Sequence, residues 1–183
     1  MGTRALHGFH QYQRQDLLGG RYSLLGIPHD NEFLPPDAPV AIHADFWVNF
    51  LWKRLIGARV FNATLSPGSR LVRAFAHCGT PPSPHRPGAA GGLGLVLVNL
   101  AESSRTVQVA SEEDAVELQV WTLTPTSAGP FGAGALLNGK ALPTHVADGR
   151  TIDDIPVPAE ARAGSLELAP LSVTFATAPK CPG

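Results

Sequence analysis

Two cysteines, seven histidines and a scatter of carboxylates are the side chains in this 183-residue sequence that could carry chemistry. Cys78 closes the run RLVRAFAHC (70–78), which alternates like a strand, and Cys181 stands two residues from the end. Neither cysteine sits in a C-x-x-C pair, and two thiols alone cannot make a zinc site. Spacing leaves a disulfide and two separate thiols equally open. A bridge would close a loop of about 100 residues and, on the chain-entropy model, stabilise by about 4–5 kcal/mol. The histidines fall at 7, 10, 29, 43, 77, 85 and 145. His7 and His10 are close but lack a third ligand nearby, so no metal site is expected. No serine sits in a G-x-S-x-G elbow. The string GAAGGLG (88–94) is not followed by Lys-Ser or Lys-Thr, as a phosphate loop would be. Glu112, Glu113, Asp114, Asp153 and Asp154 lie in runs that read as solvated turns. A glycosidase pair needs a fixed separation across a cleft, so none of these is expected to be catalytic. Asn62-Ala63-Thr64 is a glycosylation sequon. Together with a bridge it would point to the secretory route.

The elements that must position these groups are mostly strands. Seventeen prolines and nineteen glycines break the chain into short pieces. The 14 basic and 15 acidic residues nearly cancel, which argues against a nucleic-acid partner. No apolar run approaches the roughly 18 residues of a membrane span. MGTRALHGFHQYQRQ lacks the apolar core of a secretory signal. HQYQRQDL (10–17) reads as a strand, GGRYSLLG (19–26) as a glycine-bounded turn, and IPHDNEFLPPDAP (27–39) as a loop no helix could tolerate. ADFWVNFLWKRLIG (44–57) is the clearest helix, with Phe46, Trp47, Phe50, Leu51 and Leu55 on one stripe. Asp45 suits its N-cap, Lys53 and Arg54 its last turn, and Gly57 its C′ position. From residue 58 onward ARVFNATL, RLVRAFAHC, LGLVLVNLA, RTVQVA, VELQVWTLTP, GALLNGKAL and LSVTFATA read as strands. Asn138-Gly139 marks a hairpin, and 79–92 a long loop. Strands at this spacing without intervening helices predict a small antiparallel β-sandwich.

Several of these strings occur together elsewhere. RQDLLGGRYSLL (14–25), FWVNFLWKRLIG (46–57), LVRAFAHC (71–78), LVLVNLA (95–101) and LNG (137–139) come in order before Cys181. The set resembles the C-terminal part of heparanase-like proteins, glycoside hydrolase family 79, and is closest to the plant and algal type. The resemblance covers the chain from about residue 10. It implies a (β/α)8 barrel followed by a β-sandwich, and retaining cleavage of β-glucuronide linkages in polysaccharides. On that pattern residues 1–57 are the barrel's final β/α unit and 58–183 the β-sandwich domain. Both catalytic glutamates belong to barrel strands before this chain begins, so no catalytic residue is expected within it. The family's G-x-Y turn maps onto Gly20 and Tyr22 as substrate-binding residues. Glycine backbone can approach a uronic acid carboxylate closely, and a tyrosine hydroxyl can donate to it. Arg21 stands where relatives often carry Asn. The resemblance also implies a Cys78–Cys181 disulfide, no cofactor and no metal. Its implied partners are polysaccharide or proteoglycan glycan chains and the upstream barrel segment. Its implied location is the secretory pathway, ending at the cell wall, outside the cell, or in a lysosome or vacuole. The substrate class stays open: near-neutral charge does not favour heparan sulfate, and glucuronidated plant polysaccharides fit at least as well. The alternative is a non-catalytic β-sandwich module that binds glycans or partners. Because one β/α unit cannot close a barrel, Phe46, Trp47, Phe50 and Leu51 are expected to form an exposed apolar face.

Overall fold

A computed structural model describes residues 2–8, 17–19, 23–27, 39–66, 68–79, 92–109, 117–126, 134–146, 151 and 155–181. The described chain is mostly β, as expected, with helices only at α1 (Gly2–Leu6) and α2 (Ala44–Leu55). Three short strands lie in the first part: β1 (Leu18–Gly19), β2 (Leu25–Gly26) and β3 (Ala41–Ile42). The others are β4 (Ile56–Phe61), β5 (Val72–Gly79), β6 (Leu93–Asn99), β7 (Arg105–Gln108), β8 (Glu117–Pro125), β9 (Ala135–Leu137), β10 (Lys140–Ala141), β11 (Glu160–Ala163), β12 (Ser165–Leu168) and β13 (Ser172–Ala178).

Eight of these form one antiparallel sheet in the order β10-β9-β8-β13-β6-β5-β4, with β11 pairing the first half of β8. Strand alternation sends successive side chains to opposite faces, and two apolar layers result. On one face Val96, Leu123, Leu137 and Phe175 pack beneath Trp47, Leu51 and Leu55 of α2. On the other, Leu95, Leu97, Leu118, Val120 and Ala176 pack against Leu166 and Leu168 of β12 and Val107 of β7. β7 and β12 pair only with each other, antiparallel, and cover that face as a second small sheet. Gly164 separates β11 from β12, so the chain passes from one sheet to the other within a single residue. Neither β11 nor β12 is expected from the sequence, because EARA and SLEL lack β-branched residues.

The helix departs from expectation. Trp47 and Leu51 are each 1% exposed, buried against this chain's own sheet rather than left open. The helix is apolar on two sides, and the side carrying Trp47 and Leu51 faces the sheet. Phe46 and Phe50 remain half-exposed and stack at 5.7 Å, with the Arg54 guanidinium 4.0 Å above the Phe50 ring. The N-cap is His43 rather than Asp45, without a side-chain cap bond; Asp45 lies in the first turn. Gly57 is no C′ residue either, because Ile56 is already extended (φ −105°, ψ 121°) and the helix runs directly into β4. The strand expected at 10–17 lies outside the described residues except for Leu17.

Two asparagines from the quoted strings act as clamps. Asn138 and Gly139 adopt φ +49° and +76°, the left-handed turn predicted for the β9–β10 hairpin. Asn138 Oδ1 accepts from Thr122 N at 2.7 Å, while its Nδ2 donates to Val120 O at 3.3 Å and Pro158 O at 3.2 Å. Asn99, at the end of β6, donates to Leu168 O at 3.3 Å and Ala169 O at 2.9 Å and accepts from Ala101 N at 3.0 Å. It ties the large sheet to the end of β12.

Candidate functional site

The glycine and tyrosine singled out in the sequence fall between β1 and β2. Gly20, Arg21 and Tyr22 lie outside the described residues, but their two flanks are held by named bonds. Gly19 has φ +126°, a conformation that favours glycine. The buried Ser23 hydroxyl donates to Gly19 O at 3.1 Å. Ile27 N donates to the same carbonyl at 3.4 Å, and Leu25 N to Leu17 O at 2.9 Å. These bonds make β1 and β2 a parallel pair, and β3 adds antiparallel to β2.

His43 joins this frame to the helix. Its Nδ1 lies 2.6 Å from Ser23 O and its backbone N donates to Leu24 O at 3.1 Å. A carbonyl only accepts, so Nδ1 carries a proton and donates it to Ser23 O. From the other side, Ile42 N donates to Thr144 O at 2.7 Å and Val146 N to Val40 O at 3.2 Å, with Ala41 bridged to His145. The connection after β10 therefore backs the same strand that positions His43. Nothing in the sequence marks Ser23 or His43 for this role, because both act through backbone carbonyls four and twenty residues away.

Among residues 17–19, 23–27 and 39–46, Asp45 is the only carboxylate. Retaining glycoside cleavage takes two carboxyl groups about 5 Å apart. The carboxylates Glu112, Glu113, Asp114, Asp153 and Asp154 lie outside the described residues, as do His10, His29 and His85. Among the described residues no cluster of three or more His, Cys, Asp or Glu could hold a metal ion, and no helix is long and apolar enough to cross a membrane.

Cys78 and Cys181 form a disulfide with Cα atoms 5.6 Å apart and a sequence separation of 103. It has an architectural setting. Cys78 sits beside Leu93 on β6, and Ala178 of β13 sits on the other side of Leu93. The tail must therefore cross β6 to reach Cys78, which Lys180 O helps by accepting from Leu93 N at 3.1 Å. At Gly92 a side chain would run into the backbone of Ala178 and Pro179, so glycine is required under the crossing. Next to Cys78, the buried His77 contacts the Trp52 ring edge-on at 5.3 Å and bonds Gly57 O through Nδ1 at 3.0 Å. Burial lowers its pKa below 6.5, with the Gly57 carbonyl opposing that shift. Asn62 and Thr64 of the sequon are both exposed just after β4.

No family model matches this sequence. It is 32% identical to heparanase-like protein 1 of Arabidopsis thaliana over 112 residues, 61% of this chain and 17% of that protein. It is 26% identical to heparanase of Gallus gallus over 162 residues, 87% of this chain and 27% of that protein. It is 25% identical to hyaluronoglucuronidase of Hirudo nipponia over 144 residues, 78% of this chain and 27% of that protein. The chain thus spans less than a third of the length of these relatives. Among solved structures, an arabinose-bound MgGH51 α-L-arabinofuranosidase aligns with a TM-score of 0.49 at 11% identity, covering 92% of this chain and 22% of that one.

Proposed function

We propose, taking as premise that this chain is a homologue of heparanase-like proteins, that it is the C-terminal part of a retaining glycoside hydrolase. The enzyme is of the endo-β-glucuronidase type and acts on glucuronic-acid-containing polysaccharides. The observation that carries this reading is the extent of the match. It runs through 87% of this chain yet through only 27% of the Gallus heparanase, so the rest of a protein of that length has room for a barrel and its two glutamates.

In this reading residues 1–57 are the last β/α unit and 58–183 a β-sandwich, with the β7–β12 pair as the second layer over the large sheet. Gly20 offers backbone to a uronate carboxylate and Tyr22 its hydroxyl. The bonded frame of Gly19, Ser23 and His43 supports that role, because it holds the residues on either side of positions 20–22. The disulfide and the exposed Asn62 support a glycosylated protein of the secretory pathway. A second reading, a non-catalytic glycan- or partner-binding module, is favoured by one observation: Trp47 and Leu51 are buried within this chain without any barrel.

Immunoblotting the native source on a reducing, denaturing gel, with an antibody raised against this chain, separates the two. The hydrolase reading expects a species well above 19.3 kDa, beyond what one glycan adds, that cleaves glucuronide linkages. A single species near 19.3 kDa overturns it and leaves the binding module.

A further inference from the structure

Two buried side-chain atoms have no hydrogen-bond partner among the described residues: His77 Nε2 and Thr177 Oγ1. Both residues are 2% exposed. In native folds such atoms are few, and each calls for an explanation. Here the strand register relates them. His77 on β5 is opposite Gly94 on β6, and Gly94 is opposite Thr177 on β13. Directly opposed residues share a face, so the imidazole and the hydroxyl rise on the same side of the sheet. Between them stands the one residue type with no side chain. Strands lie about 4.8 Å apart, so the two Cα atoms are about 10 Å apart. His77 Nε2 and Thr177 Oγ1 make no hydrogen bond to each other.

The chemistry of the row is complementary. His77 Nδ1 donates to Gly57 O at 3.0 Å, so the neutral ring offers Nε2 as an acceptor. The Thr177 hydroxyl can donate. The end of α2 closes over Gly94: a Cβ built there would lie 3.0 Å from Ile56 Cδ1 and 3.3 Å from Leu55 O. We propose that this row is a binding site for a single water molecule. The water accepts from Thr177 Oγ1 and donates one hydrogen to His77 Nε2 and the other to Leu55 O. Three hydrogen bonds is the usual complement of a buried water, and here every donor meets an acceptor. Burial keeps the His77 ring neutral, as this scheme requires. The water ties the last turn of α2 to β5 and β13 one residue from the disulfide. It does not depend on the glycosidase reading.

The first test is a crystal structure of the 183-residue chain at a resolution that shows ordered solvent. The expected result is one solvent peak within hydrogen-bonding distance of both His77 Nε2 and Thr177 Oγ1. Direct protein partners for the two atoms, with no peak between them, overturn the site. Thr177→Val, close in shape to the native residue, tests it independently through the sign of the effect. A hydroxyl that holds a water loses bonds on replacement, and the folded-to-unfolded ratio drops about fivefold or more. An orphaned hydroxyl replaced by a methyl leaves that ratio unchanged or raises it, which overturns the proposal. In a His77→Phe background the same substitution no longer lowers the ratio if the water is shared; an undiminished drop there overturns the sharing.

Discussion

The docking of α2 onto its own sheet can be tested by removing Leu51. This side chain is 1% exposed and packs in the cluster of Phe175, Val96 and Leu123. Truncation to alanine loses the transfer energy of the removed carbons and leaves a cavity under a rigid sheet. Leu51→Ala should therefore cost about 2–5 kcal/mol. The matched control is Phe50→Ala, one position along. Phe50 is half-exposed, stacks on Phe46 and lies under Arg54, an arrangement worth about 0.5–1 kcal/mol for the cation–π contact at an exposed site. Its loss should cost about 1 kcal/mol or slightly more, since only part of its area leaves water. Urea unfolding of the oxidised chain, followed by tryptophan fluorescence, gives both values. Domains of this kind hold only about 5–15 kcal/mol in total, so the Leu51 effect is easily resolved. Equal, small losses for the two variants would refute the reasoning. They would mean that α2 does not rest on the sheet in solution and that its apolar side awaits a cover from elsewhere.

Other outcomes follow from the same geometry. Reducing Cys78–Cys181, or Cys181→Ser, should destabilise by about 4–5 kcal/mol on the loop-entropy estimate, read as a lower urea midpoint under reducing conditions. An unchanged midpoint would mean that the bridge does not constrain the unfolded chain. His77 has a lowered pKa in the fold, so the unfolded chain takes up a proton near pH 6.5 that the folded chain refuses. Stability should be unaffected by this group above 6.5 and should fall by about 1.4 kcal/mol per pH unit as pH drops below it, until the folded-state value is reached. Unfolding midpoints measured across that window should flatten in His77→Gln relative to wild type; an identical slope would exclude His77. Gly19→Ala forces a β-carbon onto φ +126° and should cost about 1–3 kcal/mol, visible as a lowered thermal midpoint.

The strands rich in Val, Leu and Phe were readable because alternation and burial agree residue by residue. Val96 and Val98 belong to one layer, Leu95 and Leu97 to the other. The Asn138-Gly139 hairpin was readable from local backbone demands alone. β11 and β12 were not, since their place is set by pairing with β8 and β7 rather than by their own composition. The helix was found, but its termini were misjudged. Asp45 and Gly57 have the right types for caps, while the structure begins at His43 and continues into a strand. Which side of α2 is buried depends on a sheet whose strands include β13, far along the chain at Ser172–Ala178, and no helical periodicity encodes it. For the candidate site, Gly20 and Tyr22 are legible only through the family resemblance. The frame that holds them, Ser23 to Gly19 and His43 to Ser23, uses main-chain acceptors that no motif could reveal.

The absence of a loop between α2 and β4 has a mechanical consequence. Leu55 ends the helix and Ile56 begins the edge strand, so no joint separates the two. Residues 57 and 58, where a fusion or a truncation would naturally be attempted, fall inside β4, at the register shift between its Ile56–Gly79 and Val60–His77 pairs. Cutting there would strip β5 of its outer neighbour and expose the strand that carries Cys78. Conversely, a force applied to α2 is passed along β4 into β5 and across the disulfide to the C-terminal tail. Helix α2, β4, β5 and the tail at Cys181 thus form one continuous path of backbone, pairing and covalent bond.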